Sequence, residues 1–475
     1  MLFTSLEFLF MFFPITMGIN YLLPQKARNY WLLVMSLLFY SWGEPSFVIV
    51  MIISIMFNYF MAIRVAETER GDAHSKRMLA VAIIGNLGLL FVYKYMNFTT
   101  GVIHSVFPFT QELFEQTQLV LPIGISFFTF QSLSYVVDVY RGEPVQKNPF
   151  YVALYVSLFP QLIAGPIVRY TTVAEEINCR AVNSDMLTNG MYRFIKGFNK
   201  KVLLANVLSI VADSAFETKE LTVLLAWVGI ICYALQIYFD FSGYSEMAIG
   251  IGLMLGFKFL ENFNYPYISK TITEFWRRWH MSLGTWFRDY LYFPLGGSRV
   301  KTKRRLVFNL AVVWLATGIW HGASWNFILW GALYGVLLIF EKLTKLPEKV
   351  ENNLKLRIPY QIFTMVMVLL GWVLFRAVDL PSAWAYMKAM LGFAPGGFTD
   401  GTATMYISQF GITILAGVIC ATPLLKLLAE KLKAKAAWVD NTIYLSGHLV
   451  QTLLFFVSVS FIVMNAHNPF IYFNF

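Results

Sequence analysis

The stretch "LVFNLAVVWLATGIWHGASWNFILWGALYGVLLIF", residues 306–340, contains no Asp, Glu, Lys or Arg. One continuous helix of that length would extend about 52 Å at 1.5 Å per residue, which is too long for a single perpendicular membrane crossing. Gly318 and Gly322 bracket His321 near the middle of the stretch, and glycine can relax or break a helix. We therefore expect two half-length helices that meet at His321 within the membrane.

The composition of the whole chain extends this expectation beyond residues 306–340. The chain is 57% hydrophobic and 13% charged, against roughly 25% charged residues in soluble domains. Nine further uncharged stretches each approach the ~20 residues that a helix needs to cross a bilayer; they are residues 8–25, 47–63, 78–93, 119–137, 150–168, 222–239, 359–375, 406–425 and 441–475. The sequence predicts an all-α polytopic membrane protein with about eleven transmembrane helices, plus re-entrant and interfacial pieces around residues 270–340.

The net charge of +10 arises mainly from short basic segments between the apolar stretches, such as "SRVKTKRR" at 298–305. Juxtamembrane clusters of this kind mark cytoplasmic loops and attract anionic lipid headgroups, so we predict contact with membrane lipid and no nucleic-acid partner. The segments at 24–29 and 64–77 are basic, whereas 43–46 and 97–118 contain no Lys or Arg. This alternation predicts an N-terminus outside the cytoplasm.

Residues 272–292, "ITEFWRRWHMSLGTWFRDYLY", combine tryptophans with arginines. Spacings of three and four residues predict that one face of a single helix carries Trp276, Trp279, Leu283, Trp286 and Tyr290. Such a stripe is typical of a helix that lies at a membrane interface. Anchoring does not account for His280, which follows directly after "WRRW".

The residues alone leave three interpretations of His280 and His321 open. A discontinuous helix at membrane depth usually lines a cavity, and a neutral imidazole in a cavity can accept a proton. The histidines then serve acid–base catalysis or a proton-coupled transporter, or they only hydrogen-bond between helices. A metal site is not predicted, because the two histidines are 41 residues apart and the three cysteines have no metal spacing.

Two blocks of sequence carry a resemblance to a known family. The blocks "EFWRRWHMSLGTWFRDYLYFPLGGSR" (274–299) and "WLATGIWHGASWNFILWGALYG" (314–335) closely resemble the membrane-bound O-acyltransferase (MBOAT) family. The resemblance is closest to the bacterial branch of alginate and peptidoglycan O-acetylation proteins and teichoic acid D-alanyl transferases. It extends over the chain and implies one domain around a central funnel: N-terminal helices at about 1–118, a catalytic core at about 119–376 and C-terminal helices at about 377–475.

The resemblance also implies roles for individual residues. His321 matches the family's catalytic histidine and is expected to act as general base, while His280 is expected to orient the donor or stabilise the oxyanion. Asp289 either orients a substrate group or pairs with Arg288. Contacts with substrate are expected from Trp276, Trp279, Trp286, Asp289, Trp320, Ser324 and Asn326.

The implied activity is O-acylation of an extracytoplasmic cell-envelope polysaccharide in the inner membrane of a bacterium. The expected donor is a cytoplasmic thioester, acetyl-CoA, with no permanently bound cofactor, and the expected partner is an esterase-like transferase outside the membrane. D-alanyl transfer to teichoic acid from a carrier protein is the alternative within the family. A proton-coupled transporter or flippase, or a non-catalytic scaffold, is the alternative outside it.

Overall fold

A computed structural model of the chain describes residues 1–111, 119–433 and 437–464. These residues form helices joined by short turns, and no strand occurs among them. They divide into two compact units. The first contains Met1–Met191 and Ala248–Leu260, and the second contains Tyr192–Met247 and the described residues from Glu261 onward.

Seven helical segments in the described part of the chain are long and apolar enough to cross a membrane: Phe47–Ala66, Ala73–Val106, Val223–Leu255, Trp325–Thr344, Leu354–Arg376, Gly401–Cys420 and Asp440–Val463. The all-α polytopic class predicted from composition is thereby confirmed. Several other predicted crossings form shorter helices. Residues 150–168, for example, contain two short helices, because Pro160 follows a break at Leu158.

Among the described residues, the first unit contains nine α-helices, the beginning of a tenth and the last turns of the long helix Val223–Leu255. In chain order, the ten are α1 (Phe13–Leu22), α2 (Gln25–Gly43), α3 (Phe47–Ala66), α4 (Ala73–Leu90), α5 (Met96–Val106), α6 (Ile125–Tyr140), α7 (Pro149–Ser157), α8 (Phe159–Leu162), α9 (Tyr170–Asn178) and α10 (Ser184–Asn199). α3 and α4 are joined inside the apolar region by Asn58 and Asn86, whose amides exchange hydrogen bonds of 3.0 and 2.7 Å. Paired amides satisfy each other there, where water is excluded.

The second unit contains the remaining helices. They are α11 (Asn206–Glu217), α12 (Val223–Leu255), α13 (Ile272–Arg278), α14 (Met281–Phe287), α15 (Lys303–His321), α16 (Trp325–Thr344), α17 (Leu346–Asn352), α18 (Leu354–Arg376), α19 (Leu380–Met390), α20 (Gly401–Cys420), α21 (Leu424–Lys433) and α22 (Ala437–Val463). α12 is the most buried span, since 72% of its apolar window is covered, against 11% for α20.

Two carboxylates on α12 lie in ion pairs within the second unit. The buried Asp240 pairs with the buried Lys201 at 2.5 Å. Glu246 is surrounded by Arg193, Lys196 and Lys200 at 2.6, 3.1 and 3.3 Å. Charges removed from water need such partners to be tolerated. α12 is therefore held to α10 and to the π-helical segment Lys200–Ala205 that follows it by electrostatic contacts as well as by apolar packing.

The uncharged stretch 306–340 is interrupted at His321, and two helices each cover about half of it, as predicted. α15 contains 19 residues and α16 contains 20, so each is about 30 Å long. Both are slightly longer than half of the stretch, because α15 begins at Lys303, before the uncharged stretch, and α16 ends at Thr344, beyond it. A helix continues through charged residues where their heads lie near the membrane surface.

Candidate active site

The chain bends sharply at His280, which separates α13 from α14. His280 has φ 43° and ψ 53°, the left-handed conformation that is uncommon for residues other than glycine. A neighbouring segment stabilises the bend, because the Asn264 N–H donates to the Arg278 carbonyl and the Met281 N–H donates to the Asn262 carbonyl, each at 2.9 Å. The prediction of one continuous helix with a tryptophan stripe was therefore wrong.

α15 and α16 form a tight helical hairpin, and His321 is the last residue of α15. The helices touch at two glycines. A Cβ atom on Gly318 would lie 2.4 Å from the Phe327 carbonyl oxygen, and one on Gly331 would lie 2.5 Å from the Trp314 carbonyl oxygen. Any larger residue would force the backbones apart. The glycines thus fix the position from which the His321 side chain projects.

Both histidines line one cavity of about 550 Å³. Its walls come from α13, α14 and the turn after them, from one face of α15, and from the last turns of α16. The α15 face consists of Leu310, Val313, Trp314, Thr317 and His321. Since these residues extend over 11 positions, the cavity follows α15 for about 16 Å at 1.5 Å per residue.

The polarity of the cavity changes from its interior to its rim. His280 and His321 are buried, with 2% and 7% of their surface exposed. Arg277, Arg288 and Lys342 also line the cavity, but they are exposed. None of the described lining residues is acidic. The arrangement suits an elongated ligand that carries negative charge at the rim and its reactive group at the histidines.

His321 is enclosed by aromatic rings. Its imidazole packs edge-on against Trp330 and Phe375, with ring centroids 4.9 and 5.2 Å apart, and against Trp320 at 5.0 Å. Close aromatic packing restricts the rotamer of the imidazole. A fixed imidazole in a largely apolar cavity can take a proton from a substrate hydroxyl without competition from bulk water.

His280 is held by a polar cluster. Its Nδ1 lies 3.1 Å from the Asn262 Oδ1, which also accepts hydrogen bonds from the Ser282 hydroxyl at 2.9 Å and the Ser282 N–H at 3.2 Å. Phe241 packs against the ring edge-on at a centroid distance of 4.5 Å. Burial lowers the pKa of His280 to about 3, so the ring is neutral at ordinary pH.

Comparison with known proteins identifies the family. Residues 125–378 match the family model of the membrane-bound O-acyltransferases. A probable alginate O-acetylase of Azotobacter vinelandii is 42% identical over 424 residues, which cover 89% of this chain and 84% of that protein. The chain belongs to the membrane-bound O-acyltransferase family. It is therefore an O-acyltransferase, and the resemblance seen in the two histidine blocks is confirmed.

Two other relatives of this O-acyltransferase have different named substrates. The peptidoglycan O-acetyltransferase of Helicobacter pylori is 33% identical over 522 aligned positions, which cover 100% of this chain and 98% of that protein. The teichoic acid D-alanyltransferase of Bacillus subtilis is 29% identical over 324 positions, which cover 64% of this chain and 79% of that protein.

The structure of this O-acyltransferase brings some of the predicted substrate contacts to the cavity. Trp276 and Trp279 line it beside the histidines. The other five predicted contacts do not line it: Trp286, Asp289, Trp320, Ser324 and Asn326.

Each of these five residues has another position in the structure. Trp286 stacks with Tyr290. Asp289 pairs with Arg288 at 2.7 Å, the alternative considered for it from the sequence. Asn326 donates to the Ala377 carbonyl at 2.7 Å, Ser324 precedes the first turn of α16, and Trp320 packs between the two histidines.

Several residues of the site were not singled out from the sequence. Asn262 contacts His280, and Thr317, Arg277 and Lys342 line the cavity. The helical spacing of the α15 face would have identified Thr317, because it lies four residues before His321. No sequence pattern identifies Asn262, which follows α12 in a non-helical segment and reaches His280 only through the tertiary fold.

Proposed function

We propose that this cavity transfers an acetyl group from a thioester donor towards a cell-envelope polysaccharide, with His321 as general base. The observation that carries the proposal is the pairing of two buried histidines with an exposed cationic rim in one cavity. The relatives whose names specify O-acetylation are more similar to this chain than the D-alanyl transferases are. Acetyl transfer is therefore favoured over transfer of D-alanine.

The rim favours a donor with phosphate groups, such as acetyl-CoA. Arg277 and Lys342 are exposed and have no acidic partner among the described residues, whereas the Arg288 guanidinium is shared with Asp289. Free cations attract phosphate oxygens by charge-assisted hydrogen bonds. The elongated cavity then allows the thioester to reach the histidines while the phosphates stay in water.

The proposed reaction transfers the acyl group from the thioester sulfur to the oxygen of the acceptor hydroxyl. The acceptor oxygen attacks the thioester carbonyl carbon while the His321 imidazole takes the hydroxyl proton. The carbon–sulfur bond then breaks, and the proton passes to the sulfur, so that an ester and a free thiol are formed. The apolar rings around His321 exclude water, which would otherwise hydrolyse the thioester.

The proposed orientation follows the distribution of basic residues. α15 begins with Lys303, Arg304 and Arg305, and His321 lies at its opposite end. Basic helix ends face the cytoplasm, so His321 lies towards the outer side of the inner membrane. The basic segments at 24–29 and 64–77 independently support an N-terminus outside the cytoplasm. We propose that an esterase-like protein there passes the acetyl group to the polysaccharide.

D-alanyl transfer from a carrier protein is the second candidate, because the D-alanyl transferases of two species are 29% and 27% identical to this chain. The same histidines and cationic rim would accept a carrier protein that delivers its thioester on a phosphorylated arm. A transporter is disfavoured, since Asp240 and Glu246 are held in ion pairs with lysine and arginine. A proton-carrying site needs a carboxylate that can change its charge.

The test uses purified protein in liposomes with acetyl-CoA, and it measures release of free thiol and ester formation on a small alcohol that stands in for the hydroxyl of the partner protein. His321→Ala is expected to lower the rate about 10²- to 10⁴-fold. His448→Ala is the matched control, because His448 is a half-buried histidine on α22 that packs against Tyr192 and Tyr444 and does not line the cavity. Equal rates for the parent and a folded His321→Ala variant would contradict the general-base role. Exclusive use of a D-alanyl carrier protein would contradict acetyl transfer.

A further inference from the structure

The protonation of His280 is fixed by the amide of Asn262. The Ser282 backbone N–H lies 3.2 Å from the Asn262 Oδ1, and a backbone N–H can only donate, so the atom it meets is the amide oxygen. The other end of the amide, Nδ2, donates to the Ser245 hydroxyl at 3.1 Å. The orientation of the Asn262 side chain therefore follows from the backbone.

The His280 Nδ1 then carries its proton, because the Ser282 hydroxyl, 3.4 Å from Nδ1, donates to the same Asn262 oxygen at the shorter distance of 2.9 Å. It lies 3.1 Å from the same Asn262 oxygen, and that oxygen offers only lone pairs to a neighbour. In a neutral imidazole with a proton on Nδ1, the other nitrogen carries a lone pair and no proton. The His280 Nε2 is consequently a hydrogen-bond acceptor, and it cannot donate to an oxyanion while the ring is neutral.

The acceptor atom has no partner in the part of the chain that the structure describes. Nε2 is buried and makes no hydrogen bond with any described residue, although the His280 ring lines the cavity. Burying an unsatisfied polar atom is unfavourable unless a ligand completes it. The low pKa of the ring, about 3, keeps the lone pair available at ordinary pH.

The proposed reaction limits which ligand group donates to this nitrogen. The acceptor hydroxyl has one proton, which His321 removes. Donors built on a phosphopantetheine arm carry an amide N–H two carbons from the thioester sulfur, and this N–H is the nearest other donor to the reacting carbon. The rings of His280 and His321 both pack against Trp320, so a group at His280 lies close to one at His321.

We propose that Asn262 is a positioning residue that holds His280 as its Nδ1–H tautomer, and that His280 Nε2 accepts a hydrogen bond from the donor amide nearest the thioester. This inference rests on the proposed acyl transfer. It assigns His280 to recognition of the donor arm, which carrier-protein thioesters and acetyl-CoA share. Recognition of this kind selects an arm with an amide at that position over a simple alkyl thioester.

The test compares acetyl-CoA with an analogue in which oxygen replaces the nitrogen of that amide. The parent is expected to lose about 10- to 100-fold in kcat/KM with the analogue, because the buried acceptor is left unpaired. The ratio of kcat/KM for acetyl-CoA to kcat/KM for the analogue measures this discrimination. The ratio should fall to about 1 in His280→Leu and decrease in Asn262→Leu. It should persist in Asn262→Asp, which retains an oxygen that accepts from Nδ1–H. Asn199→Leu is the matched control, since Asn199 is buried and bonded to Gln451.

The outcomes separate this inference from the function on which it rests. Equal use of both donors by the parent would overturn the hydrogen bond to Nε2 alone. If a folded Asn262→Leu variant preferred acetyl-CoA over the analogue as strongly as the parent does, the positioning role of Asn262 would be overturned. An equal loss in His280→Leu and in the parent would assign the effect to the analogue itself and overturn the role of His280. No thiol release by the parent from any thioester would overturn the proposed acyl transfer, and this inference with it.

Discussion

Removal of the Glu341 carboxylate is expected to loosen the helix that leads to His280. Glu341 lies on α16 and is fully buried. Its Oε1 accepts from the Ile272 N–H at 2.8 Å and from the Tyr360 hydroxyl at 2.9 Å, and its Oε2 accepts from the Thr273 N–H at 2.8 Å. Since α13 begins at Ile272, this carboxylate satisfies two of the N–H groups that a helix start leaves unpaired.

The magnitude follows from the number of donors left without a partner. In Glu341→Ala, three donors lose their acceptor, at about 1–3 kcal/mol each where water cannot replace it. Allowing for partial relaxation, the variant should be less stable by about 3–6 kcal/mol. Glu341→Gln keeps one oxygen but points an N–H group towards another donor. This variant should be less stable than the parent by about 1–3 kcal/mol.

The assay is thermal unfolding of the purified chain in detergent, together with the rate of thiol release. At about 1–2 °C per kcal/mol for a protein of this size, Glu341→Ala should lower Tm by roughly 3–12 °C. The matched control is Glu274→Gln, because the partly exposed Glu274 carboxylate pairs with Arg278 at 2.9 Å and such pairs contribute at most about 1 kcal/mol. A Tm for Glu341→Ala within 1 °C of the control would refute the capping role, where ~1 °C is the effect of a single surface pair.

Three further variants test the packing of the hairpin, the cationic rim of the cavity and the buried ion pair. Gly331→Leu should abolish thiol release and lower Tm, because even a Cβ there would lie 2.5 Å from a carbonyl oxygen of α15; unchanged activity would contradict the tight hairpin. Arg277→Gln combined with Lys342→Gln should raise the KM for acetyl-CoA about tenfold or more and weaken its salt dependence, and an unaltered KM would exclude phosphate binding at the rim. Asp240→Asn should destabilise the fold by about 3–5 kcal/mol, measured by Tm, because the buried Lys201 then faces a neutral amide in place of a carboxylate. A stable variant with altered proton uptake would instead favour a transporter.

The features that the sequence predicted correctly depend on residues that are close together in the sequence. Long uncharged stretches predicted the helical membrane class, since each apolar run alone determines whether a segment can cross a bilayer. Gly318 and Gly322 predicted the interruption at His321. The lengths of the flanking helices were not predictable in this way, because Lys303 and Lys342 continue α15 and α16 past the uncharged stretch. Charge marks where the membrane surface lies and does not mark where a helix ends.

The bend at His280 depends on contacts between distant parts of the chain. The tryptophan spacing across residues 272–292 is compatible with one helix, and helical periodicity is the strongest local signal available. The actual conformation is determined by Asn262 and Asn264, whose backbone groups bond to the residues on each side of His280. Tertiary hydrogen bonds can override a local preference of a few tenths of a kcal/mol per residue.

The two histidines reach one cavity in different ways, although each lies where a helix is interrupted. His321 keeps the helical spacing of α15 and shares a face with Thr317, whereas His280 is outside both neighbouring helices and its direction is set by the bend. His280 adopts a left-handed conformation between α13 and α14, and His321 ends α15 at the hairpin turn. An interruption in an apolar region is tolerated only when other groups satisfy the freed backbone. Beside His280, the side-chain oxygen of Asn262 contacts both the Ser282 backbone N–H and the imidazole. Replacing Asn262 by leucine should therefore disturb ring and backbone together, whereas Asn262→Asp should preserve both.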